Sequence, residues 1–477
     1  MRVRTVLAAA LAASLLPMAS ATAESGDGRA VGARGSIDFR DDRQAIDGFG
    51  ISQAFQRADV MHGARGLTPE HQREVLDLLF DRESGAGFSI LRLGIGSSAD
   101  DVYDHMRSIQ PTDPGGPDAE PSYEWDGDDG GQVWLAREAQ GYGVERFYAN
   151  AWSAPGYMKT NGSDANGGEL CGVPGTDCAS GDWRRAYAEY LVQYARFYAR
   201  EGIDITDLNF TNEPDLTTSY ASMRFTPEQA ADMAAVLGRT VAESELAGMN
   251  VACCDAAGWA EQRAYTEAIE AHPEASELVD LHTGHPYRNP ATSPLPTDRP
   301  VWMSEWNPTG DQWTEGWDDG TGYDGMSLAE DVHEALADAG VNAYLYWFGA
   351  SIGTTRAAIQ LDGPDYHVSS RLWALAAYSR FIRPEAVRVD AASGHDSVEV
   401  TAFRNADGSR VVEILNHDAA PVRQSFDVSG VRGPARGDVY LTDNTHALER
   451  TGRASVAGGR LSVELPPRSL TTIVLDR

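Results

Sequence analysis

The chain has 477 residues, four cysteines and a formal net charge of -32 at pH 7. This length exceeds what one small hydrophobic core usually holds, so we expect either a large barrel or more than one domain. So strong a negative charge repels nucleic acids and anionic membranes, which excludes both as partners.

The first residues are predicted to be a secretion signal. Arg2 and Arg4 precede an apolar run, and small residues occupy positions 21–23, where signal peptidase cleaves. We therefore expect residues 1–23 to be removed and the mature protein to be secreted and extracellular. No later segment approaches the roughly 20 apolar residues that a membrane-spanning helix needs. We expect a protein without a membrane anchor, and a monomer.

Residues 44–383 alternate between short apolar runs and amphipathic helical patterns. The predicted strands are IDGFGIS, FSILRLGI, ERFYANAW, DLNF, MNVACC, VDLHTGHPY, PVWMSEW and NAYLYWFGA. Between them, Thr68 before Pro69 and Thr226 before Pro227 are typical of a helix N-cap followed by a proline in the first turn. The alternation predicts an α/β fold, a (β/α)8 TIM barrel, with a doubly wound sheet as the alternative.

After Pro384 the pattern changes to an alternation with a period of two residues. This period is typical of strands with one buried face, and the first two strands are separated by a turn at Asp407 and Gly408. Residues 384–477 are therefore predicted to form a C-terminal antiparallel β-sandwich side domain. The N-terminal segment 24–43 contains the strand-like SIDF and is a candidate to join this sandwich.

The cysteines form two pairs that are close in sequence. Cys171 and Cys178 enclose a short loop containing Gly and Pro, which favours a disulfide bond in an exported chain. Cys253 and Cys254 are adjacent, and the sequence leaves open whether they are buried thiols or a vicinal bridge. The CxxC spacing of zinc sites does not accompany them.

Other metal patterns are weak, and we expect neither a metal nor another cofactor. His282 and His285 are three residues apart, so their rings should lie on opposite faces of a strand. The DGDDGG run at 126–131 resembles the start of a calcium loop, but Arg137 stands where the closing glutamate belongs.

Two glutamates follow predicted strands at the same rim of the barrel. Glu213 comes directly after the fourth strand, and Glu305 closes the seventh. TIM-barrel enzymes keep their chemistry at this rim, and side chains at these two strand ends can face each other across the mouth. Taken singly, each glutamate is as well explained as a surface charge. As a pair they are the minimum machinery for cleaving a glycosidic bond, because one carboxyl donates a proton and the other attacks.

Aromatic side chains suited to sugar faces stand at other strand ends: Trp152, Tyr287 and Trp347. Ordinary core packing is the alternative for each of these three rings. Two long loops, 97–130 and 307–325, also lie at the predicted catalytic rim, and loops of this length are usually functional or mobile. Trp313, Trp317 and Tyr323 in the second loop are either sugar platforms or anchors of the loop.

Taken together, these segments resemble glycoside hydrolase family 30, a family of clan A retaining glycosidases. The resemblance is carried by IDGFGISQAFQRA, ILRLGIGSS, AWSAPGYMKTNG, TNEP, MSEW and YSRFIRP. The elements QAFQRA, LCGVPGTDC and ACCD resemble in particular the xylan-acting subfamily found mostly in fungi. The resemblance extends over almost the whole mature chain, and it implies the same barrel with a side sandwich.

The resemblance also implies roles for single residues. Glu213 matches the acid/base and Glu305 matches the nucleophile. The matched substrate-binding positions are Asn212, which would hold the sugar 2-hydroxyl, together with Tyr287, Trp152 and Arg92. Selectivity for a uronic acid branch requires a cation near the cleft, and Arg57 in QAFQRA is the candidate. A salt bridge between Arg57 and a nearby acid is the alternative.

The resulting prediction is a retaining hydrolase that cleaves β-1,4-xylosidic bonds in xylan, glucuronoxylan or xylo-oligosaccharides by double displacement. The alternatives within the family are a β-1,6-glucanase and a β-1,6-galactanase. Glucosylceramide is disfavoured because the sequence has no evident lipid-facing apolar stretch. A carbohydrate-binding protein on a degenerate barrel is the alternative outside enzymes, and it would be expected to lack one of the two carboxylates.

Overall fold

The computed structural model describes residues 34–476 except residues 309, 311, 354 and 355. The predicted signal segment 1–23 and residues 24–33 lie outside the described residues, so the prediction of secretion is not tested by the fold. Within the described part of the chain, every helix is too short or too polar to cross a bilayer.

Two closed sheets form the fold, and the chain enters it through β1 (Gly35–Ile46), a strand of the second sheet. The first sheet is a barrel of eight parallel strands, in which neighbours in sequence are neighbours in space. Its strands are β2 (Gly48–Ser52), β3 (Ile90–Ile95), β4 (Arg146–Ala151), β5 (Asp207–Asn209), β6 (Asn250–Ala256), β7 (Leu281–Gly284), β8 (Val301–Met303) and β9 (Ala343–Phe348). The predicted (β/α)8 barrel is confirmed, and the doubly wound alternative is excluded.

The helices of the described chain connect these strands. They are α1 (Arg57–Asp59), α2 (Pro69–Phe80), α3 (Gln132–Gly141), α4 (Arg184–Arg200), α5 (Pro227–Ala242), α6 (Trp259–Ala271), α7 (Ala275–Leu278), α8 (Gly325–Ala337) and α9 (Ser370–Ser379). Thr68 and Thr226 cap α2 and α5 as predicted, each accepting a hydrogen bond from a backbone N–H of the first turn.

A packed layer of side chains fills the interior of the barrel and lies beneath the C-terminal ends of the strands. The layer consists of Ile90, Tyr148, Ala252, Leu281, Trp302, Ala343 and Leu345. The rings of Tyr148 and Trp302 meet edge to face with centroids 5.7 Å apart. Because this layer fills the barrel, chemistry is confined to the loops at the ends of the strands.

A small sheet between β9 and α9 was not predicted from the sequence. Its strands are β10 (Ala350–Ile352), β11 (Ile359–Asp362) and β12 (Asp365–Val368). The sequence predicts NAYLYWFGA as one strand, because its apolar run continues without a turn residue until Gly349. Gly349 separates β9 from β10, and β10 then pairs with β11 outside the barrel.

The second closed sheet consists of β1 and the eight strands that follow α9. These are β13 (Ala386–Ala392), β14 (Val398–Arg404), β15 (Arg410–Asn416), β16 (Val422–Ser429), β17 (Ala435–Thr442), β18 (Ala447–Ala457), β19 (Arg460–Leu465) and β20 (Ser469–Leu475). Neighbouring strands are antiparallel as predicted, except that β1 runs parallel to β16. The strand-like SIDF thus lies in this sheet, and β1 continues to Ile46, past the barrel start predicted at residue 44.

The C-terminal sheet holds part of the long loop that follows β8. Trp317 in this loop is 1% exposed, and its indole N–H donates to the backbone oxygen of Arg468 at 2.8 Å. The neighbouring Asp318 accepts from the Arg468 guanidinium at 2.8 Å. Trp317 is therefore an anchor of the loop and not a sugar platform.

Both cysteine pairs form disulfide bonds. Cys171 and Cys178 are joined, as predicted. Cys253 and Cys254 are joined as a vicinal disulfide at the end of β6, which resolves the alternative that the sequence left open. Asp255 follows this disulfide directly and lies in the same strand.

Candidate active site

Glu213 and Glu305 meet at the C-terminal rim of the barrel. Glu213 follows β5 and Glu305 follows β8, and the two residues are 7% and 6% exposed. One carboxylate oxygen of each, together with one ring nitrogen of His285, lie within 4.8 Å of one another. The two glutamates that the sequence singled out, 92 residues apart in the chain, therefore share one site.

The carboxylate of Glu305 is held at both oxygens. A short salt bridge joins its Oε2 to the guanidinium of Arg92, which is fully buried on β3. The Tyr287 hydroxyl donates to its Oε1 at 2.9 Å. Burial, followed by the charge of Glu305, raises the pKa of Tyr287 well above its usual range, so this hydroxyl stays a donor. Two donors, one of them cationic, hold the Glu305 carboxylate in one orientation.

Asp255 lies beneath this pair and was missed by the sequence analysis. Its carboxylate accepts from the Arg92 guanidinium at 2.8 Å, the Tyr148 hydroxyl at 2.8 Å and the Asn150 amide at 2.7 Å. Burial alone would raise the pKa of Asp255, but Arg92 and then His285 hold it well below its usual range. Asp255 is therefore a permanent buried anion. Its place at the end of β6 is the same signal that identified Glu213, and it could have been found in that way.

His285, at the end of β7, supplies a second buried cation that the sequence analysis also missed. Its Nδ1 lies 3.4 Å from Oε1 of Glu213, and its Nε2 lies 3.8 Å from Oδ1 of Asp255. Burial lowers the pKa of this imidazole, but Glu305, Asp255 and Glu213 outweigh burial and raise the pKa to about 9. His282 points away, as the three-residue offset predicts, and its Nε2 lies 2.9 Å from Glu270.

The triplet Glu213, His285 and Glu305 has donor types that could hold a metal ion. Its electrostatics point to proton transfer instead. An imidazole with a pKa of about 9 is protonated at neutral pH and has no lone pair to give to a metal. Arg92 already pairs with Glu305, so a metal ion at this place would be repelled by the Arg92 guanidinium.

Asn212 and the backbone of Glu213 are fixed by the same network. The side-chain oxygen of Asn212 accepts from Arg92 at 2.7 Å and from Asn150 at 3.3 Å, so its NH2 group faces away from both donors. The backbone N–H of Glu213 donates to the carbonyl of Asp255 at 2.8 Å. Glu213 has a φ of 47° and Asp255 a φ of 57°, left-handed conformations that cost energy in residues with a Cβ. Such strain at a charged pair is typical of functional sites.

Aromatic rings form a wall beside Arg92. The Arg92 guanidinium lies 4.7 Å from the centre of the Trp152 ring and 5.6 Å from that of Trp347. The two tryptophan rings are 5.5 Å apart, and Phe55 meets Trp152 edge to face at 5.2 Å. Trp152, Trp347 and Tyr287 are therefore parts of the site and not only of the core, and Phe55 is a further member that the sequence analysis missed.

Arg57 lies at the edge of this wall with its charge already paired. Its guanidinium forms a short salt bridge with Asp104 and donates to the backbone oxygen of Phe55 at 2.7 Å. Only 15% of the side chain is exposed. The salt bridge that the sequence analysis gave as the alternative is present, and recognition of a uronic acid remains a hypothesis.

The buried charges balance when the pair Glu213 and Glu305 carries one negative charge. Arg92 and His285 are cations and Asp255 is an anion, so one further negative charge completes the balance. Buried charge is stable only when it is compensated, so the neutral combination has one proton shared between the two glutamates. Two carboxyls that share one proton, with oxygens within 4.8 Å of one another, are the pair that glycoside hydrolysis requires.

Comparison with known proteins agrees with this geometry. The profile of the glycosyl hydrolase family 30 TIM-barrel domain matches residues 124–293, and that of the family 30 beta sandwich domain matches residues 385–473. Among solved structures, the catalytic domain of GH30 xylanase C from Talaromyces cellulolyticus is 37% identical, with a TM-score of 0.85 over 93% of this chain and 100% of that chain.

Curated relatives are more distant. Glucuronoxylanase XynC of Bacillus subtilis (strain 168) is 24% identical over 61% of this chain and 66% of its own length. Putative glucosylceramidase 1 of Caenorhabditis elegans is 26% identical over 71% of this chain and 65% of its own length. The matches thus span just under two thirds of these relatives. The full-length likeness to xylanase C and the two family profiles establish that this chain belongs to glycoside hydrolase family 30.

Proposed function

We propose that this glycoside hydrolase cleaves β-1,4-xylosidic bonds in xylan, glucuronoxylan or xylo-oligosaccharides with retention of configuration. The observation that carries the mechanism is that one carboxylate oxygen of Glu213 lies within 4.8 Å of one of Glu305. Retaining enzymes place their two carboxyls about 5–5.5 Å apart, whereas inverting enzymes leave about 6.5–9.5 Å for a water molecule. The spacing therefore favours attack by a carboxylate over attack by water.

In the first step Glu213 gives its proton to the leaving oxygen while Glu305 attacks the anomeric carbon. The Glu305 carboxylate becomes an ester and loses its charge, and Glu213 becomes the anion. The total buried charge is unchanged, because the negative charge moves from the side of Arg92 to the side of His285. In the second step Glu213 takes a proton from water, and the hydroxide displaces Glu305 from the sugar.

The substrate class is inferred from the relatives. The catalytic domain of xylanase C resembles 93% of this chain, and a glucuronoxylanase is among the curated relatives. The endo-beta1,6-glucanase BT3312 shares the fold with 17% identity and a TM-score of 0.71. At this identity the likeness supports the fold and not a substrate. We also propose export after cleavage near residue 23 and action as a monomer.

The test is product analysis of the purified protein on glucuronoxylan, arabinoxylan and β-1,6-glucan, with Glu305→Gln as the matched inactive control. Release of xylo-oligosaccharides by the wild type and not by Glu305→Gln is expected. Release of gluco-oligosaccharides alone would show that the enzyme is a β-1,6-glucanase and not a xylanase. Binding to xylan without any products would favour a carbohydrate-binding protein.

A further inference from the structure

Tyr220 is an exposed aromatic residue on the loop between β5 and α5, the loop that also carries Glu213. It is 46% exposed, and among the described residues only Val102 is another large apolar or aromatic side chain that remains this open. Single exposed rings are common on protein surfaces and need no explanation by themselves. Three further observations distinguish Tyr220 from an ordinary surface residue.

The first observation is that the segment around Tyr220 is rigidly held. Lys159 is the only lysine of the chain, and it is buried. Its ammonium group donates to the backbone oxygen of Ser222 at 2.7 Å and to the Ser153 hydroxyl at 2.8 Å. The Ser222 hydroxyl in turn donates to the backbone oxygen of Thr218 at 3.2 Å. An exposed ring between two such tethers is fixed in place before any ligand arrives, so little entropy is lost when a ligand binds to it.

The second observation is that Tyr220 continues the aromatic wall of the site. Its ring meets Phe55 edge to face with centroids 6.2 Å apart, and Phe55 contacts both Trp152 and Trp347. The adjacent Ala221 packs into the same cluster. The wall beside Arg92 therefore extends outward to a ring whose surface is open to solvent.

The third observation is the position of Tyr220 relative to Glu213. Tyr220 follows Glu213 by seven residues on the same loop. In agreement with this placement, burial, followed by the charges of Glu213 and then Glu305, raises the pKa of the Tyr220 hydroxyl. Since Glu213 protonates the leaving oxygen, a ring on its own loop lies beside the sugar that departs. Arg92 and Tyr287 surround Glu305 and so face the sugar that is retained.

We propose that Tyr220 is a specificity-determining residue that supports the leaving-group sugar, on the side of the scissile bond opposite to the sugar that becomes attached to Glu305. This inference rests on the proposed retaining mechanism. A fixed aromatic face is complementary to the C–H face of a pyranose ring, and burying the open face of Tyr220 under a sugar removes apolar surface from water.

The experiment compares two substrates with the same retained sugar and different leaving groups. One is a xylo-oligosaccharide, and the other is the corresponding xylosyl fluoride, which has no leaving-group sugar. For Tyr220→Ala we expect kcat/KM to fall about tenfold on the oligosaccharide and less than about twofold on the fluoride. Tyr220→Phe keeps the ring and should retain most activity on both substrates. Val102→Ala removes the other exposed apolar side chain and should change neither value.

Equal losses on both substrates would overturn the proposal, because Tyr220 would then act on the retained sugar or only on the fold. Unchanged activity of Tyr220→Ala on the oligosaccharide would overturn it as well. The wild type alone tests the proposed substrate: if it cleaves a glucosyl pair and not the xylosyl pair, the substrate proposal fails. The Tyr220 comparison is then made on that glucosyl pair, so the two failures remain distinct.

Discussion

His285 makes the stability of the protein depend on pH in a way that can be measured. Its pKa is about 9 in the folded protein and 6.5 in the absence of the fold. A basic group whose pKa is raised by folding stabilises the folded state fully at pH values below its pKa in the unfolded chain. This stabilisation is lost as the pH rises through the pKa that the group has in the folded protein. The difference of these two values corresponds to about 3 kcal/mol at 1.36 kcal/mol per unit.

The assay is denaturant unfolding of the wild type and of His285→Gln at a series of pH values from about 6 to about 10. The unfolding free energy of the wild type should fall by about 3 kcal/mol more than that of His285→Gln across this range. His417, whose pKa is also raised to about 9, is present in both proteins and cancels in the comparison.

His282→Gln is the matched control, since His282 is also fully buried and lies on β7, the strand that His285 directly follows. Burial lowers the pKa of His282 in the folded protein. Its contribution to stability is therefore complete at pH values above its pKa in the unfolded chain, and it is lost as the pH falls through the lowered pKa. This control should therefore keep the alkaline loss of the wild type. If His285→Gln shows the same alkaline loss as the wild type, His285 is not the buried cation inferred from its neighbours.

The remaining predictions concern catalysis, branch recognition and the disulfide. Glu213→Gln should lower kcat/KM on xylo-oligosaccharides by about 10²–10⁴, with a much smaller effect on a glycosyl fluoride that needs no acid, as steady-state kinetics will show. If Arg57 binds a uronate, Arg57→Ala should lower the ratio of activity on glucuronoxylan to activity on unbranched xylan. Asp104→Asn should raise this ratio, because it removes the carboxylate that competes for Arg57. An unchanged ratio in both variants would mean that Arg57 has only a structural role. Replacing Cys171 and Cys178 by Ser should lower the unfolding free energy by about 2–3 kcal/mol, the loop-closure entropy of so short a loop, measured in denaturant without reductant.

The sequence predicted those parts of the molecule that depend on local pattern. Alternating strands and helices established the barrel, and the position of each carboxylate after a strand placed Glu213 and Glu305 on one rim. The pairing of β1 was left open because its partner β13 lies more than 300 residues later, and no local pattern specifies such a distant contact. The sheet of β10, β11 and β12 was missed because its first strand continues the apolar run of β9.

The same limit applies to the site. Asp255 and His285 are ordinary polar residues in the sequence, and their importance comes from Arg92, Glu213 and Glu305, which three other strands bring around them. Tyr220 and Phe55 could not be paired from their separation in the chain, since only the closed barrel brings their two loops together. Arg57 shows the opposite case, in which a cation expected to face a ligand is engaged by Asp104 from a neighbouring loop.

The convergence of Glu213 and Glu305 is tested most directly by the configuration of the first product. Proton NMR during hydrolysis of a β-xylo-oligosaccharide distinguishes the two anomers before mutarotation mixes them. Two displacements, with Glu305 as nucleophile and Glu213 as acid and then base, give the β-anomer first. Initial formation of the α-anomer would mean a single displacement by water, and the roles assigned to these two carboxyls would be wrong.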